Sequence, residues 1–196
     1  TISEQLSPPQ IVQILNTYLG VMNEIVDQHQ GTTIEFMGDS IFAVFGAPNY
    51  AADHPVAAVR CAMAMQQALH SLNQTWQLDG FSRLWQRAGV VALSARVGIH
   101  VGPVVVGNLG SQRRMKYSVI GDTVNVAARL EVLNKDLATD ILVSQDVFLQ
   151  LPEEITAKCQ DQGSHCVKGR HEPIRVYALS WQAGQTHQNQ ITATPV

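Results

Sequence analysis

Three polar side chains occupy places in the sequence from which they could act on a bound ligand. Asp39 follows Gly38 between two short runs of β-type residues, so we predict its carboxylate at the tip of a tight hairpin, within reach of solvent and a divalent cation. Asn125 and Arg129 are four residues apart in a segment with helical spacing, so they share one helix face and can act on one ligand together. Such a set suits metal-assisted phosphoryl chemistry. Each part also has an ordinary interpretation, namely a turn-forming aspartate and a solvated polar pair on a helix surface.

Helices and short strands alternate along the chain to position these residues. Ser7 before Pro8 and Pro9 predicts a helix that runs to about Gln30, with Gly31 just past its end. Hydrophobic spacing and turn residues predict the remaining elements: a hairpin over 32–37 and 41–45, a helix after Asp53, a loop over 77–90, two strands over 92–109 that turn at Gly102 and Pro103, a strand over 117–120, a helix over 123–134, and strands over 141–144 and 174–180. This order predicts an α+β domain with helices on one face of a mainly antiparallel sheet.

Length and composition limit the classes of protein. The 196 residues, 45% of them hydrophobic, suit one domain, predicted over residues 1–183, and the polar tail at 184–196 is predicted to be disordered. A formal charge of -3, with no basic run longer than the one at 113–116, argues against nucleic-acid binding. The odd number of cysteines and the absence of a bilayer-length apolar run predict a cytoplasmic domain without membrane contact, although a longer parent protein could be anchored elsewhere.

Two stretches of the sequence are typical of one enzyme family. The segments TIEFMGDSIFAVFG and RVGIHVGPVVVGNLGSQRRMKYSVIGDTVNVAARLE resemble the class III adenylyl and guanylyl cyclase catalytic domain, and look most like bacterial guanylyl cyclases of the cyanobacterial type. The resemblance covers about residues 1–182. It implies the ferredoxin-like class III cyclase fold and a head-to-tail homodimer with active sites at the interface. It also implies two Mg²⁺ or Mn²⁺ ions per site, with Asp39 as a metal ligand.

The resemblance assigns roles to the other polar residues. Asn125 would orient the ribose, and Arg129 would meet the negative charge that builds on the α-phosphate. Arg96 and Lys168 would contact the β- and γ-phosphates, although Lys168 could also be an ordinary exposed lysine near a turn. Arg96 and the metal aspartate would come from one subunit and the other residues from its partner. The segment at 107–117 resembles the arm that embraces the partner subunit, and a mobile basic loop would have the same sequence.

Base selection is predicted from two further residues. In the family, the discriminating positions lie four residues before the metal aspartate and three before the glycine that precedes the Asn125 helix, and here they hold Glu35 and Ser118. A carboxylate can accept from guanine N1 and N2, and a hydroxyl, which stands here in place of the usual Cys, can donate to O6. The resemblance therefore implies GTP as substrate, with 3′,5′-cyclic GMP and pyrophosphate as products. In the ordinary interpretation, Glu35 is a solvent-facing residue of an alternating strand, on the same side as Thr33 and Met37.

Two other functions and one gap stay open. An adenylyl cyclase with an unusual purine pocket would share this pattern, as would a non-catalytic cyclase-like module that dimerises or senses a nucleotide. The family's first strand carries its other metal aspartate, and Thr1 lies just beyond that segment. We therefore expect the natural protein to continue upstream and to include regulatory domains.

Overall fold

The chain alternates helices and strands over the parts that the structure, a computed structural model, describes, which are residues 6–86, 89–111, 113–166 and 172–181. Within these ranges the helices are α1 Pro8–Gln28, α2 His54–Leu78, α3 Arg83–Gln86, α4 Asp122–Leu137, α5 Gln145–Phe148 and α6 Glu153–Thr156. The strands are β1 Gly31–Met37, β2 Ser40–Phe45, β3 Val97–Ile99, β4 Val105–Ser111, β5 Arg114–Ile120, β6 Ile141–Ser144, β7 Cys159–His165 and β8 Ile174–Leu179. The predicted tail at 184–196 lies outside the described residues, and no described helix is long and apolar enough to cross a bilayer.

Helix α1 begins where the sequence predicts and ends differently. Its start is a capping box in which the Ser7 amide donates to Gln10 Oε1 at 2.9 Å. At its end, Gln30 and not Gly31 takes the left-handed conformation, with φ of 61°. Gly31 serves another purpose, since a Cβ there would lie 2.7 Å from Val26 Cγ1 and 2.8 Å from the Phe45 ring. The expected role of Gly31 as a helix terminator is therefore wrong, and the residue lets the first strand pass close to the helix.

The segment at 77–90, predicted as a loop, is largely helical in its described part. Helix α2 continues to Leu78, and α3 follows within a few residues. The cause is aromatic packing: the rings of Trp76 and Trp85 meet edge to face with centroids 5.5 Å apart, and both are buried. Burial of two large rings fixes this segment against α2, which its mixed composition does not reveal.

The central sheet has four strands in the order β3-β6-β8-β7. Strand β3 is parallel to β6, and the other pairs are antiparallel. The predicted hairpin that turns at Gly102 and Pro103 is wrong, because β3 pairs with β6 while β4 pairs with β5 in a separate two-stranded ribbon. Alternating hydrophobicity identifies a strand and not its partner, so a parallel partner more than 40 residues downstream could not be deduced locally.

Helices cover both faces of the central sheet. Val59 of α2 packs with Ile141 and Val143 in one buried cluster, whereas Val126 and Leu130 of α4 pack with Leu142 in another. Successive residues of β6 thus face opposite sides, and all four are buried. The α+β class with a mainly antiparallel sheet is confirmed, but the expectation that the helices lie on one face is not.

Helix α4 lies very close to β3. A Cβ at Gly98 would be 2.3 Å from both the Ala127 carbonyl oxygen and the Glu131 amide nitrogen, so a residue larger than glycine cannot fit without backbone movement. The buried Asn134 side chain donates to the Val97 carbonyl at 3.0 Å, which fixes the helix along the strand. The strand and the helix are therefore held together by both packing and a buried hydrogen bond.

Candidate active site

Asp39 lies at the tip of the β1–β2 hairpin, as predicted. The two strands are joined through Gly38, which has φ of 67°, and Asp39, whose side chain is exposed. Burial raises the pKa of the nearby Tyr18 phenol, and the charge of Asp39 raises it further. The described residues contain no group of three or more side chains that could hold a metal ion, so Asp39 is not part of such a group. One carboxylate fits Mg²⁺ held jointly with substrate phosphates, which is how that ion is usually bound.

A β-bulge at Ile34 sets the direction of Glu35. Thr33 is opposite Ala43, but Glu35 is opposite Phe42, so one extra residue is accommodated in β1. Because Ala43 and Phe42 are consecutive and face opposite sides, Thr33 and Glu35 also face opposite sides. The expectation that Glu35 shares a side with Thr33 is therefore wrong, whereas its solvent-facing position in the ordinary interpretation is confirmed, since the Glu35 side chain is exposed. The bulge turns the Glu35 carboxylate away from the Thr33 side of the hairpin.

Glu35 meets strand β5 at Lys116. The Lys116 ammonium forms an ion pair with Glu35 Oε1, and the two side chains are 48% and 44% exposed. Ser118, two residues further along β5, lies on the same strand face as Lys116 and donates through Oγ to the Lys116 carbonyl at 3.3 Å. Glu35 and Ser118, both predicted base-selecting residues, are thus each in contact with Lys116, Glu35 with its ammonium and Ser118 with its backbone carbonyl. Lys116 was not among the predicted residues, and its two-residue spacing from Ser118 was the available signal.

Arg129 carries a buried donor without an acceptor. Asn125 and Arg129 are one turn apart in α4, Asn125 exposed and Arg129 half-buried, as the spacing predicts. Arg129 Nη1 is buried and has no hydrogen-bond partner among the described residues. Buried polar atoms are nearly always paired in folded proteins, and an unpaired one calls for an explanation. A guanidinium in this state is suited to bind an oxyanion supplied by a ligand.

Arg96 is tied to the same helix by an ion pair. It lies immediately before β3, and its Nε donates to Glu131 Oε1 at 2.9 Å, with both side chains partly exposed. No hydrogen bond or ion pair in the described part of the chain joins Asp39 to Asn125 or Arg129. The remaining predicted phosphate contact, Lys168, lies outside the described residues. Within one chain the predicted residues thus lie at the hairpin tip, on β1 and β5, and at the β3–α4 pair.

Comparison with known proteins identifies one family, whose description names two activities. The family model described as the adenylate and guanylate cyclase catalytic domain matches residues 1–180. The chain is 39% identical over 179 residues to adenylate cyclase 1 of Rhizobium meliloti, covering 91% of this chain and 25% of that protein. It is 36% identical over 181 residues to the adenylate cyclase of Anabaena cylindrica, covering 91% of this chain and 34% of that protein. The chain therefore spans a quarter to a third of the length of these relatives.

Solved structures agree with this fold. The adenylyl cyclase CyaB from P. aeruginosa superposes with a TM-score of 0.76 at 33% identity, covering 91% of this chain and 86% of that one. The guanylyl cyclase Cya2 superposes with a TM-score of 0.74 at 32% identity, covering 94% and 87% respectively. The two structures are named for different bases and are about equally similar to this chain, so overall similarity does not select the purine.

Proposed function

The chain belongs to the family of class III nucleotide cyclase catalytic domains, and we propose that it converts GTP to 3′,5′-cyclic GMP and pyrophosphate. The observation that carries this choice of base is the carboxylate of Glu35, which contacts β5 at Lys116, two residues from Ser118. Guanine presents donors at N1 and N2 and an acceptor at O6. A carboxylate and a hydroxyl on neighbouring strands match that edge.

Adenine fits the same pair less well. Its N1 is an acceptor, so a carboxylate in front of it would leave two acceptors facing each other, a mismatch that costs about 1–3 kcal/mol. Ser118 can donate or accept, so it does not discriminate strongly by itself. The selection of GTP is therefore assigned mainly to Glu35.

The chemistry proposed for α4 follows from its two polar side chains. Asn125 holds the ribose so that the 3′-hydroxyl faces the α-phosphate, and the Arg129 guanidinium binds the charge that grows on that phosphate during in-line attack. The unpaired Nη1 of Arg129 supports this role. Arg96 and Lys168 bind the β- and γ-phosphates and stabilise the departing pyrophosphate. A divalent cation, Mg²⁺ or Mn²⁺, held by Asp39 together with the phosphates, with two ions per site as the family resemblance implies, would supply Lewis-acid activation.

The proposed active unit is a homodimer with a site at each interface. Asp39 and Arg96 come from one subunit, and the residues of β1, β5 and α4 that bind base, ribose and α-phosphate come from the other. Large apolar side chains near the hairpin tip and on the β4–β5 ribbon are exposed in the single chain, as expected of a surface that a second copy covers: Phe36, Met37, Val105, Met115 and Ile120. We take the β4–β5 ribbon as the arm that contacts the partner.

The surrounding protein is proposed to be longer and intracellular. The greater length of the two named relatives supports regulatory domains beside a catalytic domain at 1–183. The three cysteines of the chain are free thiols, which suits the reducing cytoplasm.

ATP is the second candidate substrate, because both curated relatives described above are named adenylate cyclases. The deciding experiment measures kcat/KM for GTP and for ATP with Mg²⁺ and Mn²⁺, for the unchanged protein and for Glu35→Lys. We expect GTP to be preferred, and the substitution to lower the GTP-to-ATP ratio about tenfold or more, since an ammonium repels guanine N1–H and donates to adenine N1. Glu24→Lys, the same charge change on an exposed face of α1, is the control and should leave the ratio unchanged. A preference for ATP in the unchanged protein would refute the choice of GTP, and no turnover of either nucleotide by a protein that includes the upstream segment with its metal aspartate would refute the cyclase activity.

A further inference from the structure

Lys116 places a positive charge directly on the carboxylate to which base selection is assigned. Its ammonium is paired with Glu35 Oε1, and its backbone carbonyl accepts from Ser118 Oγ. Both charged side chains are nearly half exposed, so the pair lies at a surface that a ligand can reach. The base-selecting group therefore consists of three side chains, a carboxylate paired with an ammonium and a hydroxyl two residues along β5 from the lysine.

The ammonium changes what Glu35 offers to a purine. A lone carboxylate is an acceptor only, but a carboxylate with an adjacent ammonium is an acceptor next to a donor. That arrangement matches adenine, whose N6 amino group donates and whose N1 accepts. It is less suited to guanine, whose N1 and N2 donors need both carboxylate oxygens, one of which Lys116 occupies.

The two bases therefore use Lys116 in opposite ways. Guanine must loosen the ammonium from Glu35 to bind both oxygens, and it can take its O6 bond from Ser118. Adenine depends on the ammonium, since without it N1 faces an unpaired carboxylate. Exposed ion pairs are weakly held, so neither rearrangement disturbs the fold.

We propose that Lys116 is a third base-selecting residue, which allows the site to accept ATP as well as GTP by supplying the donor for adenine N1. The inference rests on the proposed function, because it places the purine beside Glu35 and Ser118. It explains how a site with a guanine-type carboxylate can belong to a chain that is similar to two curated adenylate cyclases as well as to a guanylyl cyclase. Selectivity is then set by the balance between Glu35 and its ion-pair partner.

The test uses binding of analogues that cannot cyclise. Dissociation constants for 3′-deoxy-GTP and 3′-deoxy-ATP are measured by calorimetry with Mn²⁺ for the unchanged protein, Lys116→Met, Lys116→Arg and Lys158→Met. Lys158 is exposed just before β7. Lys158→Met therefore removes the same charge as Lys116→Met, but at a residue outside the proposed base-selecting group. We expect Lys116→Met to weaken 3′-deoxy-ATP about tenfold relative to 3′-deoxy-GTP. Lys116→Arg, which keeps a cationic donor, should stay within about threefold of the original ratio, and Lys158→Met should not change it.

Each possible result decides the inference. Equal weakening of both analogues by Lys116→Met would mean that Lys116 acts only as a general positive charge toward the triphosphate, and unchanged dissociation constants for both analogues would mean that it does not contact the base. Failure of the unchanged protein to bind either analogue would also overturn it. The proposed function is tested separately, by turnover. If Lys116→Met shifts the binding ratio as expected but the unchanged protein does not cyclise GTP, the role of Lys116 stands and the proposed function is refuted.

Discussion

Replacement of Arg129 by Met should make the protein more stable and much less active. Nη1 of Arg129 is buried without a partner among the described residues, and an unsatisfied buried donor costs about 1–3 kcal/mol. Met preserves an unbranched apolar stem and has almost the same helix propensity, so the loss of α4 packing should be small. We therefore expect the free energy of unfolding to rise by about 1 kcal/mol, which in a chain of this size raises Tm by about 2–4 °C.

The catalytic activity of Arg129→Met should fall, although its stability rises. Removal of one preorganised donor from a developing oxyanion typically lowers kcat by about 100- to 1,000-fold. Unfolding is followed by circular dichroism against temperature and urea, and turnover of GTP and ATP by product formation. Arg60→Met is the matched control, because Arg60 makes only an exposed ion pair with Glu154 at 3.2 Å, and it should change stability by less than about 0.5 kcal/mol and leave turnover intact.

The result that refutes this reasoning is a lower Tm for Arg129→Met. It would mean that the guanidinium stabilises the fold and is not held ready for a ligand. A higher Tm with an unchanged kcat would confirm that the unpaired donor destabilises the fold, but it would refute the catalytic role assigned to Arg129.

Three further predictions concern the dimer, the fold and the thiols. A 1:1 mixture of Asp39→Ala and Asn125→Ala proteins, each inactive alone, should recover up to about a quarter of the original activity, since half of the dimers then carry one intact site; no recovery would contradict shared sites. Gly98→Ala should lower the free energy of unfolding in urea by about 3 kcal/mol or more, because its Cβ meets backbone atoms of α4 at 2.3 Å, whereas Gly20→Ala, with open space around it, should not destabilise the chain. Burial raises the pKa of Cys61 to about 12 from an ordinary value of 9, so the unfolded state loses this proton first and stability should fall as pH rises from about 9 toward 12; Cys61→Ala should flatten that part of the curve in denaturation measured against pH.

Local patterns in the sequence predict local structure well in this chain. The capping residues of α1, the turn at Gly38 and the helical spacing of Asn125 and Arg129 all act over a few residues, and the structure has each of them where the pattern indicates. Conformation over such short ranges is decided by sterics and hydrogen bonds that the neighbouring residues supply.

Contacts between distant segments could not be predicted in this way. The pairing of β3 with β6, the bulge that turns Glu35 and the ion pair between Glu35 and Lys116 all join residues that are brought together only by the complete fold. A bulge is a single extra residue with no necessary sequence mark, and an exposed lysine has many possible partners. The family resemblance predicts the residues of the candidate site, and the contacts that those residues make required the structure.

The close contact of β3 with α4 has a consequence for how two sites in one dimer would behave. Gly98 brings the strand against the helix, Asn134 bonds across the gap, and Arg96 is paired with Glu131, so strand and helix should move as one rigid body. In the proposed dimer, Arg96, next to β3, belongs to one active site, while Arg129, on α4, belongs to the other. A displacement of this rigid body when one active site closes on substrate therefore also displaces a residue of the other active site. The two active sites of the dimer should be coupled and should not turn over independently.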